Sequence, residues 1–370
     1  MRFFIRCIGL LAVIILANCT KKTRISVRIL EPGGITVPAH VKTIALINRS
    51  LPPNQANYQT SFATEGTIRD PRASHQVILG LANSLTTASP RYQVKVTNVE
   101  LPGSPIEGNL PEPMDTGTIG KICRDFNADA VVSLEDFGAN ANSSTSLRPT
   151  QQIMPNGMMA TVMQYVATQT GYVKVGFRIY DRVTNSIDDQ YFFPTSHWWT
   201  TSPYGSEGQA MSNITTITDA INQTAYFAGQ GYARRIAPVW SSEWRTFYKR
   251  SKNAQMGIAS RMAMAGDWKG AMDLWTNNIN KLNRAKAGRA AFNLALGYEV
   301  MGDLDQAQQW CEKSYAVYRN KQAGYYAQLL KQRVLNMQKV QQQLQPTDVQ
   351  QQSQQQQSQT QQLNQQGYGK

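Results

Sequence analysis

Cysteine, histidine and long apolar runs are all scarce in this chain of 370 residues, and each scarcity excludes something. Of the four cysteines, Cys7 and Cys19 fall within the first twenty residues. Cys123 and Cys311 remain, each on the apolar face of an expected helix, in different expected domains. A disulfide framework therefore does not hold the chain together. The pair reads as two core thiols, with a bridge as the open alternative. His40, His75 and His197 are scattered between loop, helix start and loop, and no metal-ligand spacing joins them, so no metal or other cofactor is expected. No Gly-x-Ser-x-Gly elbow occurs, and Gly229-Gln230-Gly231 follows no strand, which argues against a phosphate-cradling loop. The carboxylates Asp125/Asp129 and Glu135/Asp136 flank an expected strand and read better as solvated strand ends than as an acid–base pair. Without a catalytic constellation, the chain is expected not to be an enzyme.

What is present begins at the N-terminus. Arg2 and Arg6 precede the apolar run Ile8–Ala17, which is shorter than the roughly 20 residues needed to cross a bilayer. Ala17-Asn18-Cys19 follows. The combination resembles the signal of bacterial lipoproteins, in which the cysteine becomes the acylated first residue, with Asn18 standing where Gly, Ala or Ser is usual. Residues 1–18 thus read as the signal, Cys19 as the lipidation site and residues 19–40 as a polar tether. An ordinary secretory signal cleaved nearby, or an uncleaved anchor, is the alternative. Among Bacteroidota lipoproteins, acidic residues after the cysteine mark surface export. Here Lys21, Lys22 and Arg24 follow, so the resemblance implies an outer-membrane anchor facing the periplasm.

The formal net charge is +13, and its excess is localised. Residues 19–230 carry 16 Lys+Arg against 16 Asp+Glu, whereas residues 231–339 carry 18 against 7. Such asymmetry implies an acidic partner: a protein, a peptide or a lipid head group. An exported, tethered chain does not meet nucleic acid. A basic face that merely aids solubility is the plainer alternative.

Val41–Asn48 (VKTIALIN) is a continuous apolar run that suits a strand buried on both faces. Ala73–Ser89 has an apolar helical face, Tyr92–Val99 alternates as a half-exposed strand, and Thr116–Asn127 is a second amphipathic helix. Ala130–Leu134 is another buried strand. Gly138–Gly157, small and polar, reads as a mobile loop, and Thr161–Ala167 as a weak extension of the next strand. Residues 172–193 form a hairpin, His197–Gly208 an aromatic-rich loop, and Ile214–Ile236 a long helix. In that loop His197, Trp198, Trp199 and Tyr204 either stack on a sugar or peptide or, by preference, cover the sheet edge. The fold class is α+β: an α/β sandwich with a mixed sheet over residues 41–238, followed by an all-α domain. VKTIALIN, FNADAVVSLEDF and VKVGFRIYDRVTNSIDDQYFF resemble the periplasmic α/β domain of the curli-export lipoprotein and of lipoproteins that activate peptidoglycan synthases. In that group the third strand follows a Gly/Asn-Ala-Asp phrase, here Asn127-Ala128-Asp129. The turn reads Asp-x-x-Thr-Gly, matched by Asp181 and Thr184 with Asn185 in place of Gly.

Residues 239–340 contain an internal repeat. Gly266-Asp267 precedes Ala271 and Trp275, and Gly302-Asp303 precedes Ala307 and Cys311, at an offset close to that of tetratricopeptide (TPR) repeats. Gly324–Gln345 is expected to cap one end of the array, and the helix at 214–236 or the segment Ser242–Arg250 the other. Residues 341–370 read as a Gln-rich disordered tail. The phrases SHQVILGLANSLTTASPRYQV and GDWKGAMDLW resemble uncharacterised Bacteroidota lipoproteins that join such a head to TPR repeats, which implies architecture and location but no activity. The expected function is a non-enzymatic, membrane-anchored adaptor whose basic TPR groove takes an acidic partner through Arg261, Lys269, Arg284, Lys286 and Arg289. A subunit of an envelope export or assembly complex is the alternative, and an envelope-glycan enzyme the remote one. The oligomeric state is left open.

Overall fold

The computed structural model describes residues 22–51, 70–102, 110–249 and 253–344. The expected leader, the expected lipidation site Cys19 and nearly all of the expected Gln-rich tail lie outside these residues. The chain forms two compact units: Pro32–Val239 with the chain from Val340 onward, and the chain up to Glu31 with Trp240–Lys339.

The first unit is an α/β sandwich. Its sheet has the order β3-β2-β4-β5-β6, formed by β2 (Thr43–Leu51), β3 (Gln93–Pro102), β4 (Ala130–Ile153), β5 (Met159–Asp181) and β6 (Ile187–Thr200). β2 pairs in parallel with β3 and β4, and β4, β5 and β6 run antiparallel. α1 (Pro71–Thr87) begins at an N-cap, Asp70, whose carboxylate accepts from the Arg72 amide, with Pro71 pre-set for the first turn. α1 and α4 (Ile217–Ile236) cover one face, where Ile44 and Leu46 meet Val77, Ile78, Leu81, Phe177 and Tyr232. α2 (Thr116–Phe126) covers the other, where Ala45, Ile47 and Val131 meet Ile119, Ile122 and Cys123. The unbroken apolar run of β2 follows from this burial on both sides.

The motif residues have structural jobs. Asn127 ends α2 in the left-handed region at φ 48°, and Asp129 accepts hydrogen bonds from the amides of Lys42 and Thr43 at 2.9 and 2.8 Å, fixing the start of β2. Asp181 accepts from the amides of Val183 and Thr184 and lies 2.6 Å from His40 Nε2. Asn185 takes φ 54°, a left-handed conformation that asparagine tolerates.

The second unit pairs β1 (Lys22–Glu31) with β7 (Val239–Tyr248) in a two-stranded sheet, accompanied by helices. These are α5 (Ala254–Met264), α6 (Trp268–Asn278), α7 (Arg284–Met301), α8 (Leu304–Ala316) and α9 (Lys321–Leu344), the last four residues of α9 running beyond Val340. Gly266 and Gly302 both take positive φ, at 95° and 84°. Asp267 and Asp303 then cap α6 and α8, accepting from Gly270 and Gln306. Ala271 and Ala307, and Trp275 and Cys311 four residues on, are fully buried at equivalent places, so each second helix packs on its first through the same small residue.

The structure corrects four expectations. Gly138–Ile153 is not a mobile loop but the far half of β4. Its Asn, Ser and Gly residues have weak strand propensity alone and are held by pairing with β5. His197–Thr200 belongs to β6 rather than to a loop, and Glu207–Ser212 forms a short helix, α3. Lys22–Glu31 is a strand rather than a tether, with Val27 and Ile29 turned inward. Ser242–Tyr248 is extended in β7 and does not provide a capping helix.

Candidate functional site: a bare hairpin arm

β2 holds β4 only over Ala130–Leu134, yet β4 and β5 remain paired from Ala130↔Asp181 out to Ile153↔Met159. β6 leaves β5 at Thr168↔Thr200, and Tyr204 adds one bridge to Tyr165. Beyond that point the two strands continue alone among the described residues. The turn closes through Gly157 N–H to Met154 O and Met154 N–H to Met158 O, both 2.8 Å, with Gly157 at φ 77°.

The two faces of this arm differ. Partners directly across an antiparallel pair share a face. Phe137/Val175 and Ala139/Val173 belong to the core, and the same face runs outward through Ala141/Gly171, Ser143/Gln169, Thr145/Ala167, Leu147/Tyr165, Pro149/Met163, Gln151/Thr161 and Ile153/Met159. The opposite face is more polar, with Asn140/Tyr172, Asn142/Thr170, Ser144/Thr168, Ser146/Val166, Arg148/Gln164, Thr150/Val162 and Gln152/Ala160. Arg148 is the only charged residue between Ala139 and Val173. The Thr145 hydroxyl donates to Glu207 of α3 at 2.5 Å, and beyond it the apolar face is uncovered. Leu147, Met158 and Met163 are more than half exposed, and Ile153 and Met159 reach 71% and 69%. A two-stranded hairpin is marginal in water, and this one exposes a row of large apolar side chains interrupted by the hydrogen-bonded pair Gln151/Thr161, the kind of surface that favours a partner.

The sequence-predicted aromatic residues lie at the base of this arm. His197 packs edge-on against Trp199 (4.7 Å) and against Phe227 of α4 (4.9 Å), so these two rings cover the sheet, whereas Trp198 stays exposed. Tyr204 is held by two backbone hydrogen bonds to Tyr165.

The predicted cations are distributed over three helices. Arg261 ends α5, Lys269 starts α6, and Arg284, Lys286 and Arg289 lie in the first turns of α7. No contact joins them. Arg261, Lys269 and Arg284 are exposed, Lys286 is half-buried, and none of these four forms an ion pair among the described residues, while Arg289 stacks over the Tyr248 ring at 5.6 Å. The strip between the first helices of the repeats is already filled. The Asn293 side-chain amide of α7 pairs with both backbone groups of Tyr248 at 3.0 Å, Ser260 of α5 donates to the same carbonyl, and the Tyr248 hydroxyl reaches Gln322 of α9. The Tyr248 end of β7 thus packs across α5, α7 and α9. Nothing in the sequence marks this.

The buried carboxylates are committed elsewhere. Glu135 accepts from Arg49 at 2.9 Å and from the Tyr180 hydroxyl at 2.8 Å, with Arg178 at 3.8 Å. Burial pushes its pKa up, and Arg49, the tyrosine and Arg178 pull it back. No three His, Cys, Asp or Glu side chains among the described residues group as a metal site, and no described helix is long and apolar enough to cross a membrane.

Residues 41–248 match the domain of unknown function DUF8603, more than half of the chain. The chain belongs to the DUF8603 family. Residues 257–339 of this DUF8603 member match a second domain of unknown function, DUF6340. No curated protein matches. A neuraminyllactose-binding hemagglutinin homolog from Helicobacter pylori is similar in structure over 55% of this chain and 86% of that one, at 13% identity and a TM-score of 0.23, a likeness that carries no argument.

Cys123 and Cys311 are free and buried, which pushes their thiols up to about 11 and about 12. Only the thiolate is nucleophilic, and at pH 8 a thiol of pKa about 11 is ionised in roughly one part in a thousand. A chain beginning at Thr20 should give no reaction with a colorimetric disulfide reagent when native and two equivalents in urea. Rapid labelling of the native protein would contradict both placements.

Proposed function

We propose that this DUF8603 chain is a lipid-tethered, non-enzymatic component of a bacterial envelope assembly, held at the periplasmic face of the outer membrane through Cys19. It recognises its neighbours and does not transform them. The observation that carries this reading is the β4–β5 arm, with its apolar face bare and one charge along its length. A strand pair with open edges and an apolar face gains most from another protein surface or from further strands. The lipoprotein-like leader supports the location, and the curli-export resemblance is consistent with an assembly role.

A second reading is supported by the four cations Arg261, Lys269, Arg284 and Lys286, which have no ion-pair partner among the described residues: an adaptor that takes an acidic protein or peptide on the helical unit. With β7 lying across α5, α7 and α9, such a partner would bind outside that strip.

The test is in-cell crosslinking of the acylated chain, followed by identification of its neighbours. Replacing Leu147, Ile153, Met159 and Met163 together by serine should leave the circular dichroism spectrum and membrane fractionation unchanged while reducing crosslinked species at least tenfold. Reversing Arg261, Lys269 and Arg284 should leave them intact. The opposite pattern would move the partner to the helical unit, and unchanged neighbours in both variants would remove both readings.

A further inference from the structure

The other face left bare is that of the β1–β7 ribbon, and its chemistry differs from that of the arm. Val27 and Ile29 of β1 and Phe247 of β7 point into the helical core. The alternate positions of β1, Lys22, Arg24, Ser26 and Arg28, are all exposed. Arg28 lies over the Trp240 ring at 5.1 Å, and Lys22 over Tyr248 at 5.3 Å; this opposite order along the two strands is that of an antiparallel pair. Trp240 and Trp244 therefore share the outer face with the cations, and Trp244 is 65% exposed. Trp244 also borders an open cavity of about 260 Å³ with Tyr325 of α9, itself exposed. The acids of the two strands stand at the other positions: Glu31 follows the inward row, and Glu243 lies 3.6 Å from Arg245.

We infer that this outer face of the ribbon, with Lys22, Arg24 and Arg28 beside Trp240 and Trp244, rests on an anionic lipid surface. Three considerations converge. Cations unopposed by acids complement phosphate head groups. Tryptophan, apolar with one N–H, prefers the boundary between head groups and acyl chains. Reach is the third: Lys22 is three chain steps from Cys19, and an extended chain covers at most about 3.6 Å per step, so an acylated Cys19 holds the start of β1 within about 11 Å of the bilayer. The inference deepens the tethered reading above and takes its placement from it.

A chain beginning at Thr20 keeps every described residue and separates the ribbon from the anchor. It should co-sediment with vesicles of one part phosphatidylglycerol to two parts phosphatidylcholine, with a blue shift in tryptophan emission, and should not bind phosphatidylcholine alone. The double variant Arg24→Glu, Arg28→Glu should lower partitioning at least tenfold, and Trp244→Ala should abolish most of the blue shift. The pair Lys269→Glu, Arg284→Glu, which removes the same charge from the helices, should change partitioning less than about threefold. Equal binding to neutral vesicles, no binding, or equal loss in the helical control would overturn the assignment, the last two pointing to a protein partner or to net charge alone. Palmitate labelling of the full chain against Cys19→Ser reads the tether independently. Labelling with no vesicle binding refutes the ribbon face, and vesicle binding without labelling refutes the tether and keeps the ribbon face.

Discussion

Replacing Glu299 by alanine should destabilise the helical unit by about 3–5 kcal/mol, enough to melt it well before the sandwich. Glu299 lies on α7 with 1% of its surface exposed. Arg245 of β7 donates to both of its oxygens at 3.2 Å, and the Tyr326 hydroxyl of α9 donates at 2.5 Å. Arg333 Nη1 stands 2.5 Å from Oε1 as an ion pair, without the alignment of a hydrogen bond. One carboxylate thus ties strand, first helix and capping helix together, and both guanidiniums are nearly buried. Without it, two desolvated positive charges face each other and a buried tyrosine loses its acceptor, which costs more than the pairing itself contributes. Glu299→Gln keeps the shape and an acceptor but not the charge, and should lose most of the same stability. The combined variant Glu299→Leu, Arg245→Met, Arg333→Met, Tyr326→Phe should recover most of it, because apolar side chains of similar size carry no desolvation cost and no hydroxyl is left without its acceptor. Urea unfolding followed at 222 nm reads all three. A loss under about 1 kcal/mol in Glu299→Ala would mean that the cluster is hydrated and contributes as a surface pair does.

How far this architecture can be read in advance depends on whether a signal is local. The continuous run of β2 and the glycine-aspartate turns of the helical array each state their role within a few residues. Val41–Asn48 has no polar face to expose, and Gly266 and Gly302 take the positive φ that their position after a helix demands. Relational features were hidden. Asn142 and Ser144 carry no strand signal until Thr170 and Thr168 are set opposite them, so the arm is legible only by pairing one strand against the other. β1 escaped notice because basic residues beside a leader look like a tether, although Ile25, Val27 and Ile29 alternate with them. Nor does anything in Trp240–Tyr248 announce that Asn293, forty-five residues later, will pair with its backbone. The candidate cations were legible as charge but not as a site, since helix ends scatter residues whose numbers lie close together.

Gly229→Ala should destabilise the sandwich by about 2 kcal/mol or more, while the same substitution at Gly231, two residues along the same helix, should be neutral or stabilising by up to about 1 kcal/mol. Helices α1 and α4 cross with their backbones touching. A Cβ at Gly229 would lie 2.0 Å from Val77 O and 2.6 Å from Leu81 N, and one at Gly80 would lie 2.0 Å from Tyr226 O. These are backbone atoms in hydrogen-bonded turns, which cannot rotate aside as a side chain can, so the helices must separate. Separation thins the packing around Val77, Leu81 and Ala228 and forfeits more than the roughly 1 kcal/mol that alanine gains over glycine within a helix. At Gly231 the new methyl meets only the Phe193 ring at 3.5 Å, ordinary contact, and the helix-propensity gain stands alone. Because Gly80 and Gly229 serve one crossing, the double variant should fall well short of the sum of the singles. The effect should reach the arm as well. α4 sits on Gly171 of β5, where a Cβ would meet Thr224 Oγ1 at 2.5 Å and Ala220 O at 2.7 Å, and Phe177 stacks on Tyr232 at 4.0 Å. Loosening α4 therefore frees the strand that roots the hairpin, and amide exchange at Thr168–Val175 should accelerate in Gly229→Ala and not in Gly231→Ala. Equal exchange in the two variants would show that the arm is held by β6 alone.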